Sequence, residues 1–171
     1  MAAATQAHAL NEQDKDTPAG LRDNYLVSLQ LIERLHRQLL DVIKSELERT
    51  QQNDINSVQA LLLFNINDAE LTAGELKTRG HYLGSNVSYN LKKLVEAGYI
   101  HHQRSEMDRR SVRVRLTESG KRVCKMISTL YERHLTSVTK VGGITSDELA
   151  AQNKCLQRLE RFWADQIRYR L

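Results

Sequence analysis

Apolar residues recur at helical spacings along most of this chain. Leu29, Ile32, Leu35, Leu39, Ile43 and Leu47 fall on one stripe, which predicts a single helix of many turns from Leu21 to about Thr50. A second helix opens at Asn53 or Asn56, with Val58, Leu61, Leu62 and Ile66 expected to face inward and Phe64 on a flank. "LTAGEL" then carries a complete start signal. Thr72 is the cap, Glu75 reaches back from three residues on, and Leu71 and Leu76 occupy the staple positions, so a short third helix begins there. After the Gly80 breaker, Gly84 or Ser85 opens a fourth helix that runs to about Ala97 and stops at Gly98. Two short helices joined by a turn containing Gly make a helix-turn-helix.

The period then changes. "SVRVRL" alternates Val112, Val114 and Leu116 with Arg113 and Arg115, the pattern of a half-buried strand. "YIHHQR" precedes it and the polar run "SEMDRR" turns the chain between them, which predicts a β-hairpin directly after the fourth helix. "TESG" restarts helix, with Val123, Met126, Ile127 and Leu130 as its apolar face. "GGITSDEL" marks a break with Thr145 or Ser146 as the new cap, and a last helix carries Leu149, Leu156, Leu159, Phe162, Trp163 and Ile167. The expected fold is mainly α with a small β-hairpin. It comprises a disordered tail (1–18), an N-terminal dimerisation helix (19–52), a winged helix-turn-helix (53–120) and C-terminal dimerisation helices (121–171). The terminal helices have little else to cover their apolar faces, and a monomer would expose a large patch, which argues for a homodimer.

The fourth helix poses its own question. In "GSNVSYNLKKL", Val87, Leu91 and Leu94 account for one side as core, while Ser85, Asn86, Ser88, Tyr89, Asn90 and Lys93 crowd the other. Ser and Asn compete with helical backbone for hydrogen bonds and lower helix propensity, so these groups are expected to serve something outside the helix. An α-helix fits the major groove of DNA, where such side chains meet base edges and the helix N-terminus favours phosphate. Asn86 and Asn90 lie four apart on one side, and an Asn paired bidentately with adenine is worth about 1 to 3 kcal/mol of discrimination. The hairpin loop adds Asp108, Arg109 and Arg110. It can place a guanidinium in the minor groove, with Asp108 orienting an Arg rather than opposing phosphate. Arg113 and Arg115 lie on the strand's polar face within reach of phosphates, although a solvated strand face fits either one alone equally well.

Charge sharpens this picture. The formal net charge is only +4, but Arg79 to Arg115 holds eight Lys or Arg against Glu96, Glu106 and Asp108, a local excess of +5 that leaves the rest near −1. A basic segment on an otherwise balanced protein points to an anionic partner, here double-stranded DNA. Several other chemistries fit poorly. Tyr89 and Lys93 satisfy the Y-x-x-x-K spacing of a short-chain dehydrogenase, but no G-x-G-x-x-G follows a strand anywhere, so no cofactor is expected and an enzyme is only a remote alternative. His101 and His102 are adjacent in a strand and point to opposite faces, so they cannot chelate one metal together, and no metal site is assigned. Cys124 and Cys155 fit no C-x-x-C pattern and lie beside apolar positions, which predicts two buried structural thiols. No basic start with a long apolar run opens the chain and no stretch reaches the ~18 apolar residues of a membrane span, so a cytoplasmic protein without membrane contact is expected.

The segment "LTAGELKTRGHYLGSNVSYNLKKLVEAGYIHHQRSEMDRRSVRVRLTESGKR" resembles the DNA-binding core of the MarR family. That family's wing pattern, Asp-x-Arg followed by a strand and Leu-Thr-x-x-Gly, is matched by Asp108, Arg110, Leu116, Thr117 and Gly120. The resemblance implies a homodimer knitted from the first and last helices, with recognition helices in successive major grooves of a pseudopalindromic operator. It also implies a small aromatic effector between the dimerisation and DNA-binding parts, where Leu61 and Phe64 are candidate lining residues. Within the family, "YLGSNVSYNLKKLVEAGYIHHQRSE" looks most like regulators of L,D-transpeptidase, which implies control of cell-wall remodelling or stress genes. A ligand-independent architectural DNA-binding protein is the alternative that involves no effector.

Overall fold

A computed structural model describes residues 17–67, 71–72, 75, 84–104 and 112–169. Helix α1, Pro18–Arg49, begins three residues before the expected Leu21. Thr17 is its cap, with extended backbone and an Oγ1 that accepts the Gly20 N–H at 3.1 Å, and Pro18 takes the first position, where its missing N–H costs nothing. Residues 17 and 18 therefore leave the expected tail; residues 1–16 lie outside the described set. Only the far end of α1 is buried, at Ile43, Glu46 and Leu47. The buried Glu46 carboxylate is satisfied by a two-pronged bond from Arg49, at 2.6 and 2.9 Å.

Helix α2, Ser57–Ile66, starts with a reciprocal capping box. Asn56 Oδ1 accepts the Gln59 N–H at 2.9 Å and Gln59 Oε1 accepts the Asn56 N–H at 3.0 Å. Its inward face differs from expectation. Ala60, Leu62, Leu63 and Ile66 are buried, whereas Leu61 is only half-buried and Val58 is exposed. The run Leu61 to Phe64 is apolar on every side, so periodicity alone cannot choose the core face.

Strand β1, Leu71–Thr72, was not foreseen. It pairs antiparallel with β3 (Val112–Leu116), Leu71 opposite Val114 and Thr72 opposite Arg113, and β3 pairs in turn with β2 (Ile100–Arg104) from Ile100–Leu116 to Arg104–Val112. The sheet thus has three strands in the order β1-β3-β2 rather than a bare hairpin. A cap residue already has extended backbone, so Thr72 can end a strand and precede a helix. Of the residues expected to form the third helix only Glu75 is described, and it is helical.

Helix α3 spans Gly84–Glu96, helix α4 Glu118–Lys140 and helix α5 Ser146–Tyr169, close to their expected bounds. Thr145 and Glu148 cap α5 reciprocally: Glu148 N–H donates to Thr145 Oγ1 at 3.2 Å and Thr145 N–H donates to Glu148 Oε2 at 2.8 Å. The chain divides into two compact units, one ending at Val123 and the other beginning at Cys124. The first has a closed core that includes Leu62, Leu63, Ile66, Leu94 and Val114. In the second, Cys124, Ile127 and Leu130 of α4 are buried, but α5 contains no buried residue. Cys155 is accordingly exposed, which corrects the expectation of a buried thiol there, while Cys124 is buried as expected. No helix among the described residues is long and apolar enough to cross a membrane.

Candidate nucleic-acid interface

Helix α3 is held by its apolar side and by its end. Leu91 and Leu94 are 6% and 0% exposed, fixing the helix on the core of the winged unit. The end is a Schellman motif. Gly98, at φ 76, supplies the left-handed residue, its N–H donates to Val95 O at 3.0 Å, and the Tyr99 N–H donates to Leu94 O at 2.9 Å. Gly98 is needed there because a side chain at that φ is strained.

The outward side carries most of the expected reading residues that are described. Ser88, Tyr89 and Lys93 are exposed and Asn90 is half-buried. For Ser85 and Asn86 the helical backbone is described but not the side chain. Asp108, Arg109 and Arg110 lie outside the described residues. Arg113 is exposed on β3, in register with Gln103 on one side and Thr72 on the other. Sequence reasoning passed over Lys92, which lies four residues after Ser88 and three after Tyr89 and is well exposed beside them; that spacing was the available signal.

The cations on α3 are partly engaged. Lys93 Nζ lies 3.0 Å from Glu96 Oε2, and Lys92 Nζ lies 3.9 Å from Glu96 Oε1. The hydrogen bond to Glu96 and its charge raise the Lys93 ammonium above the ordinary lysine range, and the same bond lowers Glu96 below the ordinary carboxylate range. Such exposed pairs are weak because solvent screens them, so another anion can replace the carboxylate at little cost.

The base of the wing is tied to the same helix end. Thr117 N–H donates to Tyr99 O at 3.0 Å, its Oγ1–H donates to Gly98 O at 2.8 Å, and the same Oγ1 accepts the Gly120 N–H at 3.2 Å. A Cβ at Gly120 would fall inside 3.0 Å of Tyr99 O, backbone that cannot step aside. The Leu-Thr-x-x-Gly pattern therefore has a physical content: it docks the start of α4 on the turn that ends α3. Tyr99 itself is buried, and burial first, then its bond to Asp54, pushes its hydroxyl up to about 12.

Leu61 and Phe64, the candidate effector residues, are both half-buried on α2. Neither lines the cavity of about 240 Å³ between α1 and α2, bounded by Lys44, Glu48, Gln52 and Asn53, nor the one of about 310 Å³ bounded by Asn67, His101, Arg115 and Lys121. No cluster of three metal-ligating side chains occurs among the described residues.

Comparison with known proteins agrees with this geometry. A family model described as a winged helix DNA-binding domain matches residues 55–120. The exopolysaccharide II synthesis transcriptional activator ExpG of Rhizobium meliloti strain 1021 is 36% identical over 172 residues, covering 95% of this chain and 87% of that protein. Among solved structures, a mutant of E. coli MarR complexed with operator DNA is 26% identical with a TM-score of 0.64, covering 80% of this chain and 96% of that one. Streptococcus pneumoniae FabT in complex with DNA shares the fold at 22% identity and a TM-score of 0.65, covering 82% of this chain and 98% of that one. The relative matched along nearly the whole chain is a transcriptional activator, which sets the dehydrogenase alternative aside. The winged unit, the match along nearly the whole chain to a transcriptional activator and the likeness to operator-bound MarR together make this chain a member of the MarR family of winged-helix DNA-binding transcriptional regulators.

Proposed function

We propose that the protein binds a pseudopalindromic operator as a homodimer, with α3 in the major groove and the Asp108 to Arg110 loop in the minor groove. Ser85, Asn86, Ser88, Tyr89, Asn90 and Lys93 read or position, and Arg113 approaches phosphate. The carrying observation is the outward side of α3, where Ser88, Tyr89, Lys92 and Lys93 stand exposed opposite the buried Leu91 and Leu94. The dimer reading is supported by exposed apolar residues at both ends of the chain, Leu21, Leu35, Phe162 and Ile167 among them. Two reading heads would then lie about one helical turn of DNA apart, about 34 to 36 Å.

A small aromatic effector near Leu61 and Phe64 would alter the spacing or angle of the two heads. The target reading draws on two resemblances: cell-wall remodelling, from the L,D-transpeptidase regulators, and exopolysaccharide synthesis, from the named role of ExpG. Both concern the cell surface, so genes for envelope and surface polysaccharide are the proposed targets, in the cytoplasm where DNA is accessible.

Selecting bound fragments from genomic DNA with purified protein tests this, repeated across a panel of small aromatic acids. Arg110→Ala weakens operator binding, and Asn86→Ala costs about 1 to 3 kcal/mol on the operator and less on random duplex. Equal binding by both variants overturns the site assignment. Equal affinity for all sequences, unmoved by any aromatic, would instead support the architectural alternative.

A further inference from the structure

We infer that Tyr99 and Asp54 form a tie that positions the recognition helix: the side chain of Tyr99, in the turn that closes α3, is anchored on the loop between α1 and α2. The inference rests on α3 being the reading helix. Tyr99 is 5% exposed, and its hydroxyl lies 2.8 and 2.9 Å from the two oxygens of Asp54, with Gln52 Oε1 3.1 Å from the same hydroxyl. The phenol has one hydrogen, which it donates to the Asp54 carboxylate; a bond to a carboxylate acceptor is among the stronger kinds. Tyr99 and Asp54 are separated by 45 residues, and local helix capping needs no such bond.

The backbone of Tyr99 explains why the tie bears on DNA. Its N–H closes the Schellman turn on Leu94 O, and its carbonyl accepts from Thr117 at the start of α4. One residue therefore joins the end of α3, the wing, α4 and the α1–α2 loop, where Asp54 sits two residues before the Asn56 cap of α2. Helix α3 has 13 residues, about 20 Å in length, and its polar leading end is the end remote from Tyr99. A tilt of about 3° at Tyr99 would displace the leading end by about 1 Å, more than the spread of good hydrogen-bond distances to a base edge. Phosphate contacts made by flexible lysines tolerate that shift, so the tie should govern specific binding far more than non-specific binding.

The test measures full-length Tyr99→Phe, Asp54→Ala and Asp54→Asn on the selected operator and on random duplex, at a temperature where circular dichroism shows every variant folded. Amide hydrogen exchange across residues 91–99 is read in the same samples without DNA. Tyr99→Phe and Asp54→Ala each weaken operator binding about tenfold, the equivalent of one net hydrogen bond, while random duplex changes by less than about twofold. Asp54→Asn keeps an acceptor and restores affinity to within about threefold of the parent, and the Tyr99→Phe, Asp54→Ala double variant is no weaker than either single one. Exchange at the end of α3 quickens in the two truncations. Operator affinity equal to the parent's, with only thermal stability reduced, overturns the positioning role and leaves a structural bond. A parent that binds no duplex overturns the reading of α3 instead, and unchanged exchange in Tyr99→Phe overturns the tie itself.

Discussion

Helices α3 and α5 are both amphipathic, yet they meet different fates within this chain. In α3, Leu91 and Leu94 reach 6% and 0% exposure, whereas α5 has no buried residue and leaves Phe162 and Ile167 at 52% and 81%. The same contrast occurs inside α1, whose far end buries Ile43 and Leu47 while Leu21, Leu31 and Leu35 stay exposed. An apolar stripe records that a helix needs a partner surface, not which chain supplies it. The described part of the winged unit buries its apolar side within one chain, whereas the two ends leave theirs exposed, and an exposed apolar stripe of this length is what the proposed homodimer would cover.

The largest effect should follow from poisoning that stripe. In the proposed homodimer, Phe162→Asp places a charge at an apolar contact, and two-fold symmetry counts the loss twice, about 3 to 6 kcal/mol in all. Sedimentation should then show a dimer dissociation constant raised by a factor of about 100 to 10,000, with the helical content of the monomer kept. An unchanged association state would place the partner of α5 elsewhere and break the comparison at its root.

A smaller effect separates two neighbouring leucines of α2. Leu63 is fully buried and Leu61 half-buried, so Leu63→Ala should cost about 2 to 5 kcal/mol of unfolding free energy in urea and Leu61→Ala about half that or less. Equal losses would mean that Leu61 is covered too, as a residue beside an effector cleft or a second subunit would be.

That pair also shows where sequence patterns stop informing. The end of α3 was legible because caps are local: Gly98 acts through its own backbone, and the expected start at Gly84 or Ser85 matches the observed Gly84. The β3 alternation was legible for the same reason, and Asn56 was one of two candidate starts of α2, although the Gln59 half of its box was passed over. The core face of α2 was not, since four consecutive apolar residues have no period. Strand β1 has only two residues and no pattern to show. The start of α1 was missed although Thr17–Pro18 is a local signal, because the polar tail before it drew the boundary too late. At the interface, the polar side of α3 could be read from residue types, and Lys92 from its spacing. The tie from Tyr99 to Asp54 could not, because only the folded chain brings them together.

The smallest effect concerns the exposed face of α3. Glu96 pairs with Lys93 at 3.0 Å with about half of each side chain exposed, so Glu96→Gln should leave the urea unfolding midpoint unchanged within error. DNA binding should respond more, and in the opposite sense from a truncation. Removing the carboxylate takes a negative charge from beside the phosphates and spares Lys93 the exchange of one anionic partner for another. Affinity for any duplex should rise about two- to fivefold at low salt and converge with the parent's as salt screens both charges. A titration of operator and random duplex at several salt concentrations measures both trends. If instead Glu96→Gln strengthens only the operator, Lys93 contacts a base edge rather than a phosphate, and the division of labour along α3 shifts by one turn.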